Sequence, residues 1–209
     1  MKHILWCLLL LSQSTLAQTS DTDISGDDIS GNPFLFKDWC NGTVRFTSGR
    51  VMNQFKLKFD CLKNQLLLQF NGSAFAAESK IEEFVIYPKT KSKDSLVFRK
   101  GFPATEKGSE HTFYQVLFRD KVQLLRLFFR NVIEEQKLVV SGGRNHRHME
   151  EAEQYYLLQN NSLTLLPANR ADLVGKFPQL AEFVASQQLK MRDAEDFVVV
   201  VKKYNELIP

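Results

Sequence analysis

The chain has 209 residues, 44% of them hydrophobic and 17 of them Phe, enough apolar mass for one packed domain and too much for a disordered main body. Setting aside Lys2 and the four aspartates of residues 18–32 leaves 26 basic against 20 acidic side chains, a net of +6. Such a mildly basic surface is mostly solvated lysine and arginine; in an exported chain it suits anionic lipid, glycan or acidic protein, and nucleic acid is excluded as a partner.

Lys2 and His3 open the chain, Ile4 to Leu11 form an uncharged apolar run, and Ser12 to Ala17 is small and polar. That order predicts a secretory signal peptide over residues 1–17, cleaved after Ala17. The run falls far short of the roughly 20 apolar residues of a spanning helix. Cys7 sits inside the run and not directly after it, which argues against a lipid anchor. No later stretch approaches spanning length. The mature chain is therefore expected to be extracytoplasmic (periplasmic, outer-membrane associated or secreted), with no transmembrane span and at most peripheral membrane contact.

Asp23-Ile24-Ser25-Gly26-Asp27 and Asp28-Ile29-Ser30-Gly31-Asn32 form a tandem near-repeat. It has too little apolar surface to order itself, so residues 18–32 are expected to be a flexible acidic leader. A calcium-binding repeat would need more copies.

Residues 33–166 carry the punctuation of a β-rich domain. Thr43–Thr47 and Phe55–Phe59 alternate around Ser48-Gly49 as a half-buried hairpin. Gln65–Phe70 ends at Asn71-Gly72, a strong turn signal, and Ile81–Tyr87 stops at Pro88. Ser95–Arg99, Phe113–Phe118, Val122–Val132, Lys137–Val140, Tyr155–Gln159 and Ser162–Leu166 follow. This describes an antiparallel meander forming a sandwich, barrel or half-barrel.

In residues 167–209 the apolar period becomes helical. Leu173, Val174, Phe177, Leu180, Phe183 and Val184 form one stripe, and Pro178 suits a first turn. Asp193 is a candidate N-cap for a second stripe of Phe197, Val200, Val201 and Tyr204. Two short helices packed on the same domain are expected. The fold class is mainly β with C-terminal helices, α+β.

Motifs for chemistry are scarce. No Gly-x-Ser-x-Gly, Gly-rich phosphate loop, CxxC pair or zinc spacing is present, so no catalytic residue, cofactor or enzymatic activity is expected. His146 and His148 would share one side of an extended segment and are weak metal candidates. Arg144 and Arg147 disfavour a cation there, and a polar loop after Gly142-Gly143 is the default. The pairs Glu82-Glu83, Glu134-Glu135 and Glu150-Glu151 would point to opposite faces of a strand and suit solvent better than acid–base work. Lys89, Lys91 and Lys93 read as a solvated loop.

Asn41, Asn71 and Asn160 open glycosylation-type triplets, but turn formation already explains the Asn-Gly pairs. Cys40 and Cys61 would remain after processing as a disulfide candidate. A bridge closing that loop is worth roughly 3 kcal/mol on the loop-entropy model, and two buried thiols would look the same. A Cys–His111 pair has no motif around it.

Phe36-Lys37-Asp38-Trp39, Gly42-Thr43-Val44, Gly49, Leu57-Lys58-Phe59-Asp60 and Asn64-Gln65-Leu66, with Tyr155-Tyr156-Leu157-Leu158 and Asp196-Phe197 to Tyr204-Asn205 further along, resemble a family of small exported proteins of Bacteroidota-type bacteria with no assigned activity. The resemblance implies a bacterial envelope setting and supplies no site residues.

Two roles follow as expectations. The first is a non-enzymatic binding module that meets an envelope protein, glycan or lipid. The alternative is a half-barrel carrier of an apolar ligand such as a lipid. An apolar cavity of several hundred cubic ångströms between sheet and helices would favour the carrier, whereas a packed core with an exposed aromatic patch would favour the module.

Overall fold

The computed structural model describes residues 29–77, 80–89, 95–135 and 146–208. The expected signal peptide, most of the leader, Lys91, Lys93, the strand at 137–140 and the Gly142-Gly143 turn lie outside them. Twelve strands come in chain order: β1 (Ile29–Ser30), β2 (Cys40–Phe46), β3 (Val51–Met52), β4 (Lys56–Asp60), β5 (Gln65–Phe70), β6 (Ser73–Ala76), β7 (Ile81–Tyr87), β8 (Leu96–Arg99), β9 (Tyr114–Arg119), β10 (Gln123–Glu135), β11 (His146–Gln159) and β12 (Ser162–Leu166). Then follow α1 (Arg170–Lys176), a 3-10 turn (Pro178–Leu180), α2 (Ala181–Ser186) and α3 (Ala194–Leu207). The expected class, mainly β with C-terminal helices, is the observed one.

The strands make one sheet in the order β1-β11-β10-β9-β8-β7-β2-β4-β5-β6, with β12 beside β11 and β3 beside β2. Every pairing is antiparallel except β1 with β11. The tight turns have the chemistry their geometry needs: Asn71 and Gly72, like Asn160 and Asn161, hold positive φ at both central positions. This is the hairpin turn whose twist matches its strands.

Strand alternation gives the sheet one continuous inner face. Across paired positions it runs through Leu68 and Leu66, Leu57 and Phe59, Cys40 and Val44, Phe84 and Ile86, and Phe98. It continues through Gln115, Leu124 with Arg126 and Phe128, then Leu157 with Tyr155. Two cores form on it. One is aromatic, with Phe84 stacked on Phe98 at 4.7 Å and Phe59 5.1 Å from Phe98. In the other, Val122, Leu124, Tyr155, Leu157 and Leu166 are covered by Leu173, Leu180, Val184, Met191, Phe197, Val200 and Val201 of the helical segment. A third cluster of Phe102, Tyr114, Leu125, Leu127 and Tyr156 packs on the opposite face of the sheet.

The curvature follows from the N-terminal segment. Ser30 pairs with His148 of β11, and Phe34 bridges to Asp60 of β4. Four residues and two pairing gaps reach about 24 Å. Six strand spacings in a flat sheet take about 29 Å before any offset along the strands. The sheet therefore curls into a half-barrel, and residues 29–35 strap its opening.

The strap corrects one expectation, since Ile29–Ser30 belong to the sheet and Gly31 and Asn32 are held beside it, not in a flexible leader. Their order comes from distant partners. Arg130, its side chain 3% exposed, donates from Nε to the Asn32 carbonyl at 3.1 Å and from Nη2 to the Phe34 carbonyl at 3.0 Å. Gly31 sits at φ +121°, and a Cβ there would come within 2.9 Å of Met149 Cβ.

The helical segment has three helices where two were expected. Pro178 has no N–H to continue α1 and starts a separate turn. Asp193 caps α3 as its sequence position suggested, accepting from Asp196 N at 3.1 Å. The Asp196 carboxylate in turn accepts from Lys190 N and Met191 N, which holds Met191 at φ 59°.

Candidate functional site: a satisfied polar seam and a bare aromatic end

A polar seam separates the two inner cores. Gln115, 7% exposed, accepts from Arg126 Nε at 2.9 Å and Nη2 at 2.6 Å. Arg126 Nη1 reaches Glu153 Oε2 at 3.4 Å, and Tyr155 Oη donates to Glu153 Oε1. Burial, and then the adjoining Glu153, raise the Tyr155 phenol well above its ordinary value. It stays protonated as the donor in this bond. Tyr155 also stacks on Phe197 of α3 at 4.0 Å, so the seam orients the sheet face on which the helices pack.

Beside the seam lies a cleft of about 200 Å³ lined by Leu35, Phe128, Arg130, Glu151, Ala152 and Glu153. Its charges are already paired: Arg130 holds Glu151 at 3.2 Å and the two strap carbonyls, and Glu153 holds Arg126. The cleft is a joint between strap and sheet. The space between sheet and helices, where a carrier would keep its ligand, is filled by the side chains of the second core.

The residues singled out by sequence are placed as follows. Cys40 and Cys61 are both buried and both free thiols. The disulfide candidate is not realised, because Cys40 pairs with Leu57 and Cys61 lies four residues further along. β4 runs about 10 Å from Leu57 to Asp60 before the turn that holds Cys61, beyond the Cα limit of about 7 Å for a bridge. Burial pushes the Cys61 thiol up to about 12 and raises Cys40 as well, so both are poor nucleophiles. His111 is exposed beside Glu110 and takes no part in a thiol pair.

His146 and His148 lie on β11, not in a polar loop. His148 Nε2 is 3.5 Å from Glu150 Oε1, and among the described residues no group of three metal-ligating side chains forms. Glu83 is held by Arg45 and Arg99, so it is an ion-pair member and not merely solvent-facing.

Sequence reasoning did not single out the end of the sheet at β4–β6. Phe70 and Phe75 share the inner face with Leu66 and Leu68, and Phe55 continues the face of Leu57 and Phe59. Here neither strap nor helices cover that face. Phe70 is 40% and Phe75 47% exposed, and both meet Phe55 edge-on, with ring centroids 5.9 and 6.3 Å apart. Their sequence neighbours Asn53, Gln54, Gln69, Asn71, Ser73, Ala74 and Ala76 are uncharged, with Lys56 the exception. Covering the two half-exposed rings would return on the order of 1 kcal/mol each. The available signal was the apolar alternation continuing through the Asn71-Gly72 turn, from Phe70 to Phe75.

Among the described residues no helix is long and apolar enough to cross a membrane. Comparison with protein-family models, curated proteins and solved structures finds no match for this chain.

Proposed function

We propose that the protein is a non-enzymatic binding module of the cell envelope that grips a protein partner through Phe55, Phe70 and Phe75. One observation carries the reading: on the core face of the sheet Phe70 and Phe75 are 40% and 47% exposed, both set against a partly buried Phe55 that packs on the aromatic core. Exposed apolar clusters of this kind mark interaction sites. The envelope setting rests on the signal-type start and on the resemblance to exported proteins. The absence of catalysis rests on the raised thiols and the paired carboxylates of the seam.

The test is affinity purification of tagged protein from its host envelope, wild type beside Phe70→Asp/Phe75→Asp. The wild type retains a discrete partner in fixed proportion, and the double variant, melting at the same temperature, loses it. Equal recovery by both variants would refute the site. Native mass spectrometry of the same material adds a second arm, in which bound lipid would instead establish the carrier role.

A further inference from the structure

The outer edge of β6 has a hydrogen-bonding pattern that names its own partner. In the two-residue hairpin at Asn71-Gly72, Phe70 and Ser73 exchange their backbone bonds, and Phe75 and Leu68 form the next such pair. Ala77 N donates to Leu66 O at 2.8 Å, which fixes the same phase. The N–H and C=O groups of Ala74 and Ala76 therefore point away from β5, and β5 is the strand with which β6 pairs.

Natural edges are guarded by charge, proline or a bulge. Ser73-Ala74-Phe75-Ala76 has none of these, and all four residues are exposed. The β12 side of the sheet differs, because Lys176 Nζ occupies the Leu165 carbonyl there at 2.9 Å.

We propose that β6 pairs antiparallel with β6 of a second copy of this chain, on a two-fold axis through Phe75. The register is self-complementary: Ala74 faces Ala76 of the copy, and Ala76 faces its Ala74. Two outward residues on each strand make four backbone hydrogen bonds. Phe75 then meets its own symmetry mate in the close, non-hydrogen-bonded position, where Cα atoms lie about 4.5 Å apart. The residues offering their backbone carry only methyl groups, so nothing hinders approach. With no charge on the strand, two net-basic copies meet without opposing side chains along the shared edge.

Opposite residues of an antiparallel pair share a face, so the two Phe55–Phe70–Phe75 clusters join into one band. The proposal thus deepens the binding-module reading: it rests on that reading for the use of the joined band, whereas the pairing itself rests on the β6 backbone.

Sedimentation of the host-purified chain tests it at concentrations up to about 1 mM, where an interface of this small size is populated. The wild type should show a reversible monomer–dimer equilibrium. Ala74→Pro removes an outward N–H that β5 does not use, and Phe75→Lys puts two like charges on the axis. Each should weaken the dimer at least tenfold without changing the monomer's melting temperature. A wild type that stays monomeric throughout, or a dimer indifferent to both substitutions, overturns the proposal. Phe70→Asp separates the two claims. If it loses the envelope partner while no dimer is found, only the pairing fails. If it changes no binding while Ala74→Pro abolishes a dimer, only the binding-module reading fails.

Discussion

The two ends of the inner face have the same apolar alternation and opposite fates. At β9–β12, Leu124, Tyr155, Leu157 and Leu166 lie under three helices. At β4–β6, Phe70 and Phe75 have no cover of this kind, and Phe55 beside them is only partly buried. The edges repeat the contrast, with a lysine on the β12 carbonyl and, among the described residues, a β6 backbone that pairs with β5 alone. An apolar stripe therefore states that a surface wants burial, and only the fold tells whether this chain supplies it.

That contrast is sharpest in stability. Phe197→Ala, at the covered end, removes a buried ring stacked on Tyr155 and should cost about 3–5 kcal/mol. Phe75→Ala at the bare end should stay within about 0.5 kcal/mol. Urea titration of both variants checks the difference, and equal losses would erase the distinction between the ends.

The strap comes next. Arg130→Ala removes the guanidinium donors from the Asn32 and Phe34 carbonyls, leaving Phe34 O only the Asn32 Nδ2 donor at 3.3 Å, and should lower stability by about 2–3 kcal/mol. Hydrogen exchange should then accelerate over residues 29–36 and stay unchanged at Ser73–Ala76.

The aromatic core under the strap contains the two thiols and predicts alkaline lability. The Cys61 thiol is raised from 9.0 to about 12 in the folded protein, so above pH 9 the unfolded chain ionises first. Stability is full below that pH and falls as pH rises from about 9 towards 12, by up to about 1.4 kcal/mol per pH unit for this thiol. Denaturation midpoints of wild type and Cys61→Ala across this range test the sign. The same burial should leave both thiols unreactive to a thiol reagent at pH 8 until the protein is unfolded.

The smallest expected effect is that of Phe70→Ser. It should leave the melting temperature within about 2 °C, as for a surface change, while partner binding is lost.

Much of this fold was legible in the sequence because its signals are local. Asn71-Gly72 fixed one hairpin, Gln65–Phe70, Ile81–Tyr87 and Ser162–Leu166 matched their strands, and Asp193 marked the start of α3. What was missed depends on remote partners. The strap is ordered by Arg130, about a hundred residues away in the chain. The first half of β11 reads as polar because Glu151 and Glu153 answer Arg130 and Arg126 of the neighbouring strand β10, so charge pairing replaces apolar alternation. The candidate site was hidden for the converse reason, since Phe70 and Phe75 have the pattern of a core and only tertiary structure leaves them bare.

Covalent footprinting compares the two ends most directly, reading the dilute purified protein against the same protein in intact host envelope. The account predicts that the envelope protects Phe55 and residues 70–76 and leaves residues 170–207 unchanged. Protection over the helices with none at Phe70 and Phe75 would contradict it.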